Sequence, residues 1–254
     1  MTLQLKNTHR ISATLLLKSG LHIGAGKDTI EIGGLDLPVV KNPFSQEPYI
    51  PGSSVKGKLR SLLEWALGKV EDNGEVWGSK RDGSYPKDDP VLRTFGTTNK
   101  RWHETHAPGP TRLVVRDAPL NRAWADSIRD RGLPFTEEKM EVSIDRIQGK
   151  AGGGGPRRIE RVPASAEFDL EMSFKVFDVD GDGGRVDGEC LDRLLEALKL
   201  LEKDALGGSG SRGYGRVEVQ NLSVDDRPIA EAFDAITAIS LDAPARLVGQ
   251  EHYG

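Results

Sequence analysis

Polar and apolar residues alternate along Arg10-Ile-Ser-Ala-Thr-Leu-Leu-Leu17, a period of two that predicts a strand. The same period returns over residues 167–177, where Phe168, Leu170, Met172, Phe174 and Val176 fall on one face. Two shorter runs, residues 112–117 and 216–222, also predict strands. Two segments instead carry the helical period. Pro51-Gly-Ser-Ser54 sets up the first, with Ser53 or Ser54 as its cap and Leu59, Leu62, Leu63 and Leu67 along one side. The second, residues 191–206, presents Leu194, Leu195, Leu198 and Leu201. The order is strand, helix, strand, excursion, strand, helix, strand. It predicts an α+β fold of the ferredoxin-like or RRM-like βαββαβ type, with the helices on one face of the sheet.

Between these elements the pattern breaks. Gly20-Leu-His22-Ile-Gly24 predicts a bend, and a long loop over residues 27–51 follows. Within it Pro38-Val-Val40 and Tyr49-Ile-Pro51 read as short extended pieces paired with each other. Residues 71–112 are polar and predict an inserted, mobile, lid-like lobe around Val91-Leu-Arg-Thr-Phe-Gly96. Residues 135–163 predict a second excursion, too polar to pack, with Gly152-Gly-Gly-Gly155 as a flexible tip. Residues 1–254 thus read as a single domain with two insertions.

Composition narrows the classes. No run of 18 apolar residues is present, so a membrane-spanning helix is not expected. The N-terminus lacks a signal-peptide layout, and one cysteine, Cys190, makes no internal disulfide; both favour the cytoplasm. Net charge is −4, so any nucleic-acid surface must be a local cluster rather than a global field. The 30 glycines matter through where they fall.

Three clusters could meet an RNA backbone. Ser53, Ser54, Lys56, Lys58 and Arg60 lie in the first turns of a helix, where free N–H groups and cations favour phosphate. Gly207-Gly-Ser-Gly-Ser-Arg-Gly-Tyr-Gly215 lets backbone amides approach a phosphate, with Arg212 and Arg216 for charge and Tyr214 for stacking. Arg146, Arg157, Arg158 and Arg161 flank the glycine tip. A fourth feature, Asp36 in Gly33-Gly-Leu-Asp-Leu-Pro38, reads by itself as a turn residue, and as an acid that orients a cation or a 2′-hydroxyl only where its loop faces bound RNA. His22 is a base or RNA contact, or a buried strand-end histidine. Asp178, Asp180, Asp182 and Glu189 fit the string of an EF-hand calcium loop, although a strand precedes them where a helix is required. His103 and His106 offer two metal ligands with no third histidine or cysteine nearby.

Taken together, Gly20-Leu-His-Ile-Gly24, Gly34-Leu-Asp-Leu-Pro-Val39, Tyr49-Ile-Pro-Gly-Ser-Ser-Val-Lys-Gly-Lys-Leu-Arg60, Ile144-Asp-Arg-Ile147, Arg158-Ile-Glu-Arg161 and the glycine-rich run resemble the repeated backbone subunit of type III CRISPR effector complexes. That subunit is the third of the Csm (type III-A) set, in the RAMP superfamily, and the likeness spans residues 10–222. It implies a modified RRM palm with a thumb over residues 135–163. It further implies head-to-tail copies along a guide RNA (crRNA), a paired target RNA, and other type III subunits. It implies guide contacts at Ser53, Ser54, Lys56, Lys58, Arg60, Gly208, Ser209, Gly210 and Arg212, and thumb contacts at Arg146 and Arg161. Asp36 becomes the implied catalytic acid. The implied reaction is cleavage of target RNA at regular intervals, dependent on Mg²⁺ or Mn²⁺, by attack of the 2′-hydroxyl beside each splayed nucleotide. The alternative is a filament subunit that binds RNA and leaves cleavage to another subunit.

Overall fold

The computed structural model describes residues 2–25, 37–81 and 83–236, with 239 and 241. Along the chain run β1 (Leu3–Leu17), β2 (Tyr49–Ile50), α1 (Gly52–Ala66), α2 (Pro90–Phe95), α3 (Lys100–His106), β3 (Leu113–Val115), β4 (Ala118–Pro119) and α4 (Arg122–Asp130). Then come β5 (Glu137–Ile144), β6 (Ala151–Arg161), β7 (Glu167–Val179), α5 (Arg185–Lys203), β8 (Val217–Val224), β9 (Arg227–Pro228) and α6 (Ala230–Asp234). The fold mixes helices with antiparallel sheets.

The principal sheet has the order β3-β7-β1-β8-β9, with every neighbouring pair antiparallel. β8, β1, β7 and β3 are the fourth, first, third and second of its main strands. β1 begins earlier than its alternation predicts, because β7 pairs with it from Leu3↔Val179 to Leu16↔Glu167 through one bulge. Its buried face carries His9, Ile11, Ala13, Leu15 and Leu17, opposite Phe168, Leu170, Met172, Phe174 and Val176 of β7. Val55, Leu59, Leu62 and Leu63 of α1 and the leucines of α5 close this core. Burying these apolar faces supplies the main driving force for the fold.

Several boundaries differ from the sequence reading. α5 starts at Arg185 rather than 191, because the Asp182 carboxylate accepts the N–H groups of Gly184 (3.0 Å) and Val186 (3.3 Å) and caps it. Residues 38–40 do not pair with β2. β2 pairs with β4, while Val40 donates its N–H to Ile23 O at 2.9 Å. Gly152–Gly155 is no tip: the turn falls at residues 145–150, and the glycines lie within β6, in the register shift between the pairs Val142↔Pro156 and Ile144↔Ala151.

Residues 71–112 form an anchored helical lobe rather than a mobile one. Asp89 caps α2 and Asn99 caps α3 through side-chain oxygens. The side chains of Arg93 and Arg112 are buried on Asp187 of α5. Residues 135–163 also pack at their root, where Ile159, Glu160 and Val162 are buried. Among the described residues no helix is long and apolar enough to cross a membrane.

Candidate nucleic-acid interface

The start of α1 is capped from a distance. Gly52 donates its N–H to Asp117 Oδ1 at 2.7 Å, and a Cβ at that position would lie 2.5 Å from Val115 O, so only glycine fits. Ser53 and Ser54 therefore sit in the first turn and make no cap. Ser53 is exposed and Ser54 half-buried. Lys56 donates to Leu113 O at 3.1 Å, and burial followed by the Arg60 charge lowers its pKa. Arg60 is engaged within the chain. Its guanidinium is spent on Glu64 (2.7 Å), Gly96 O (3.0 Å) and Trp77 O (2.6 Å), which ties the helical lobe to α1. Lys58 differs: it pairs with Asp204 Oδ2 at 2.7 Å, at the edge of a cleft of about 780 Å³ that Lys18, Gly210, Ser211 and Arg216 also line.

The glycine-rich run forms the wall of that cleft. Gly207 has φ +76°, and a Cβ there would lie 2.5 Å from His22 O. Gly208 donates its N–H to the same carbonyl at 2.9 Å. Ser209 takes a left-handed conformation (φ 60°), and Gly210–Arg212 make a 3₁₀ turn. Arg212 is exposed, with Nη1 on Glu141 at 3.1 Å. Tyr214, expected as a stacking surface, is only 1% exposed. Its hydroxyl donates to Glu141 Oε1 at 2.8 Å, and Lys139 and Arg161 lie over its ring. The Tyr214 hydrogen bond holds the Glu141 carboxyl below its ordinary pKa, helped by Lys139 and Arg212.

β5 and β6 rise beside this loop. Arg161 stands at the root, paired with Glu137 at 2.7 Å and packed on Tyr214. Arg146 stands exposed in the terminal turn and donates to Ile144 O. A groove of about 780 Å³ runs along the hairpin past Ile144, Arg146, Arg157 and Arg212.

The bend at Gly20–Gly24 joins these parts. Leu21 and Val162 exchange backbone hydrogen bonds (2.9 and 2.8 Å), and Gly215 donates to Gly20 O at 2.9 Å. His22 is half-buried, and its Nδ1–H donates to Glu160 O at 2.8 Å. Leu37 bridges Ile159, and Gly24 bridges Val39. Asp36 lies outside the described residues. The structure thus gathers His22, Arg161, Gly208, Ser209, Gly210, Arg212 and Lys58 around one junction. Ser53, Ser54 and Lys56 belong to the neighbourhood of Val115, Asp117 and Leu113. The sequence reading missed Lys18, Lys41, Glu141, Glu160 and Asp204. Glu160 stood within a quoted motif, but its contacts come from distant segments.

The calcium reading fails. Asp178 Oδ1 accepts the Gly181 N–H, Asp180 pairs with Lys87, Asp182 caps α5, and Glu189 pairs with Arg185. Their oxygens are directed to donors within the chain. His103 and His106 donate to Thr97 O and Tyr85 O, so they act as structural clips. Among the described residues no three His, Cys, Asp or Glu side chains converge to hold a metal ion.

Comparison with known proteins agrees in one direction. Residues 14–218 match the family model of the RAMP superfamily. The chain is 38% identical over 242 residues to the CRISPR system Cms endoribonuclease Csm3 of Methanothermobacter thermautotrophicus, covering 89% of each. It is 38% identical over 221 residues to the protein of that name from Mycobacterium tuberculosis, covering 84% of this chain and 86% of that one. Among solved structures it resembles a chain of the Csm3–Csm4 subcomplex in the type III-A CRISPR-Cas interference complex. The TM-score is 0.52 at 25% identity, over 92% of this chain and 86% of the other.

Proposed function

Because the chain belongs to the RAMP superfamily, and within it to the Csm3 endoribonucleases, we propose that it is the RNA-cleaving backbone subunit of a type III-A CRISPR complex. The observation that carries this reading is the junction. Motifs scattered over residues 20–24, 37–41, 158–162 and 206–215 meet at one place, beside an exposed hairpin that bears arginines.

The strand order β8-β1-β7-β3 supports a ferredoxin-like palm, with residues 135–163 as thumb and 71–112 as lid. The glycine-rich loop, with Lys58 and Arg212, grips the guide RNA backbone, and Arg146 and Arg161 serve the thumb. Ser53, Ser54 and Lys56 remain candidate guide contacts at the start of α1. Copies of the chain stack head to tail on the guide, and a Csm4-type subunit is an expected neighbour. Sequence choice lies with guide–target pairing. The expected location is the cytoplasm.

Asp36 is the proposed catalytic acid. Its carboxylate orients the target 2′-hydroxyl for in-line attack on the adjacent phosphorus, leaving a cyclic phosphate and a 5′-hydroxyl. A Mg²⁺ or Mn²⁺ ion would be held by Asp36 together with phosphate oxygens of the RNA. When bound, that ion would neutralise charge on the phosphate.

The test is target cleavage by the guide-loaded complex, wild type against Asp36→Ala, with magnesium and with EDTA. The expected result is normal target binding with every regular cut lost. Cuts that persist in Asp36→Ala would make this chain a filament subunit and move the nuclease elsewhere.

A further inference from the structure

Glu160 is a carboxylate on β6 for which the reaction above has no use, and its side chain is only 4% exposed. Both oxygens are paired. Oε2 accepts the N–H of Val39 at 2.9 Å. Oε1 accepts the Thr136 hydroxyl at 2.7 Å and the Lys41 ammonium. The backbone of the same residue is also engaged: its N–H donates to Leu37 O at 3.0 Å, and its carbonyl accepts from His22 Nδ1 at 2.8 Å. One residue therefore ties together the hairpin root, the bend at His22 and the segment 37–41.

That segment follows Asp36 directly along the chain. Residues 23–25 and 38–40 lie side by side, with Ala25 N–H on Pro38 O at 3.1 Å and Val40 N–H on Ile23 O at 2.9 Å. Glu160 adds the connection from this ribbon to β6. A buried carboxylate persists only where its oxygens are paired, so the three donors and Glu160 hold one another in a single arrangement. Burial alone would raise its pKa, but the bonds from Lys41, Thr136 and Val39 outweigh burial and keep the group ionised at neutral pH.

We propose that Glu160 is a positioning residue for RNA cleavage, fixing residues 37–41, the stretch that follows Asp36 directly along the chain. The proposal rests on the reading of Asp36 given above. It assigns Glu160 no contact with RNA. Misplacing a reacting group by about 1 Å costs roughly 100-fold in rate, so a clamp on the residues next to Asp36 in the chain acts on the chemical step more than on binding.

The experiment measures single-turnover cleavage by the guide-loaded complex against target concentration, for wild type, Asp36→Ala, Glu160→Gln and Thr136→Val. Glu160→Gln is expected to lower the saturating rate about 10–100-fold while half-saturation stays within about 2-fold. Thr136→Val, which removes one donor, is expected to lower it about 2–10-fold. Wild-type cutting by assembled Glu160→Gln complexes overturns the proposal. So does a loss of target binding that matches the loss of cutting, which would mark a general folding role. If Glu160→Gln complexes do not assemble, Thr136→Val decides, and wild-type cutting there overturns the proposal too. A silent Asp36→Ala beside an unaffected Glu160→Gln defeats this inference alone. An active Asp36→Ala defeats the Asp36 reading and this inference with it.

Discussion

The helical lobe (residues 71–112) and the β5–β6 hairpin look alike as sequence, since both are polar stretches between periodic elements. They fold in opposite ways. The lobe buries its charges: Asp187 is fully buried, with Oδ1 on Arg93 Nε at 2.8 Å and Oδ2 on Arg112 Nε at 2.7 Å and on the Phe177 N–H at 2.8 Å. Arg112 also donates to Pro108 O and Pro110 O, and its guanidinium lies over the Phe177 ring. The hairpin instead exposes its apolar residues, Met140, Val142, Ile144 and Ile147. Polarity therefore does not separate surface from interior here. Buried ion pairs tie the lobe to α5. Uncovered apolar side chains leave the hairpin free to meet something outside the chain.

The sharpest way to break this comparison is Asp187→Asn. Removing the charge leaves the buried Arg112 guanidinium without an anion and Arg93 with Asp88 alone, at a cost of about 3–5 kcal/mol. In a chain of this size that is a fall of roughly 10 °C in melting temperature, read by calorimetry on the free chain. A fall below about 2 °C would mean that the network is solvated and the contrast with the hairpin is false.

Acid should loosen the lobe next. Glu71 is buried and accepts from Tyr85 Oη (2.5 Å) and from the Gly78 N–H (3.0 Å). Burial would raise its pKa, but the Tyr85 bond, then Gly78 and Lys80, hold it below its ordinary value of 4.5. Its folded pKa is the lower one, so the stability it contributes is complete above the unfolded pKa. That stability is lost as pH falls through the folded pKa. The melting temperature should therefore drop below pH 4.5, and Glu71→Gln should flatten that drop. An unchanged acid limb in the variant would assign the loss to other carboxylates.

What could be read in advance follows from range. β1, β7, α1 and α5 bury one face each, and a period of two or 3.6 records that locally. The lobe is held by Asp187, far along the chain from Arg93 and Arg112, so hydropathy registers only its charges. Four successive glycines have poor strand propensity, and they fall where the β5–β6 ladder shifts register, with paired residues on both sides carrying the strand past them. At the junction, the glycine-rich loop and His22 were visible as motifs. Glu160 was not singled out, since its role depends on Val39, Lys41 and Thr136 arriving from elsewhere. The partners of Arg60 were hidden for the same reason: Glu64, Gly96 O and Trp77 O engage a cation that local sequence shows as free.

The smallest expected effect on stability tests the hairpin side of the comparison. Ile147 is 96% exposed and Ile144 54% exposed, so neither contributes much packing in the free chain. Changing both to serine should move stability by no more than about 0.5 kcal/mol at each site. The assembled complex should respond differently. An apolar side chain covered by an RNA base or a neighbouring copy gains about 25 cal/mol per Å² buried, so the same variant should weaken target binding or cleavage. Melting of the free chain and cutting by the complex would then separate, with the first flat and the second reduced. If the melting temperature falls while cutting holds, these isoleucines pack within the chain, and the hairpin belongs with the lobe as an internal support. If neither moves, their exposure is ordinary surface, and the thumb reading rests on Arg146 and Arg161 alone.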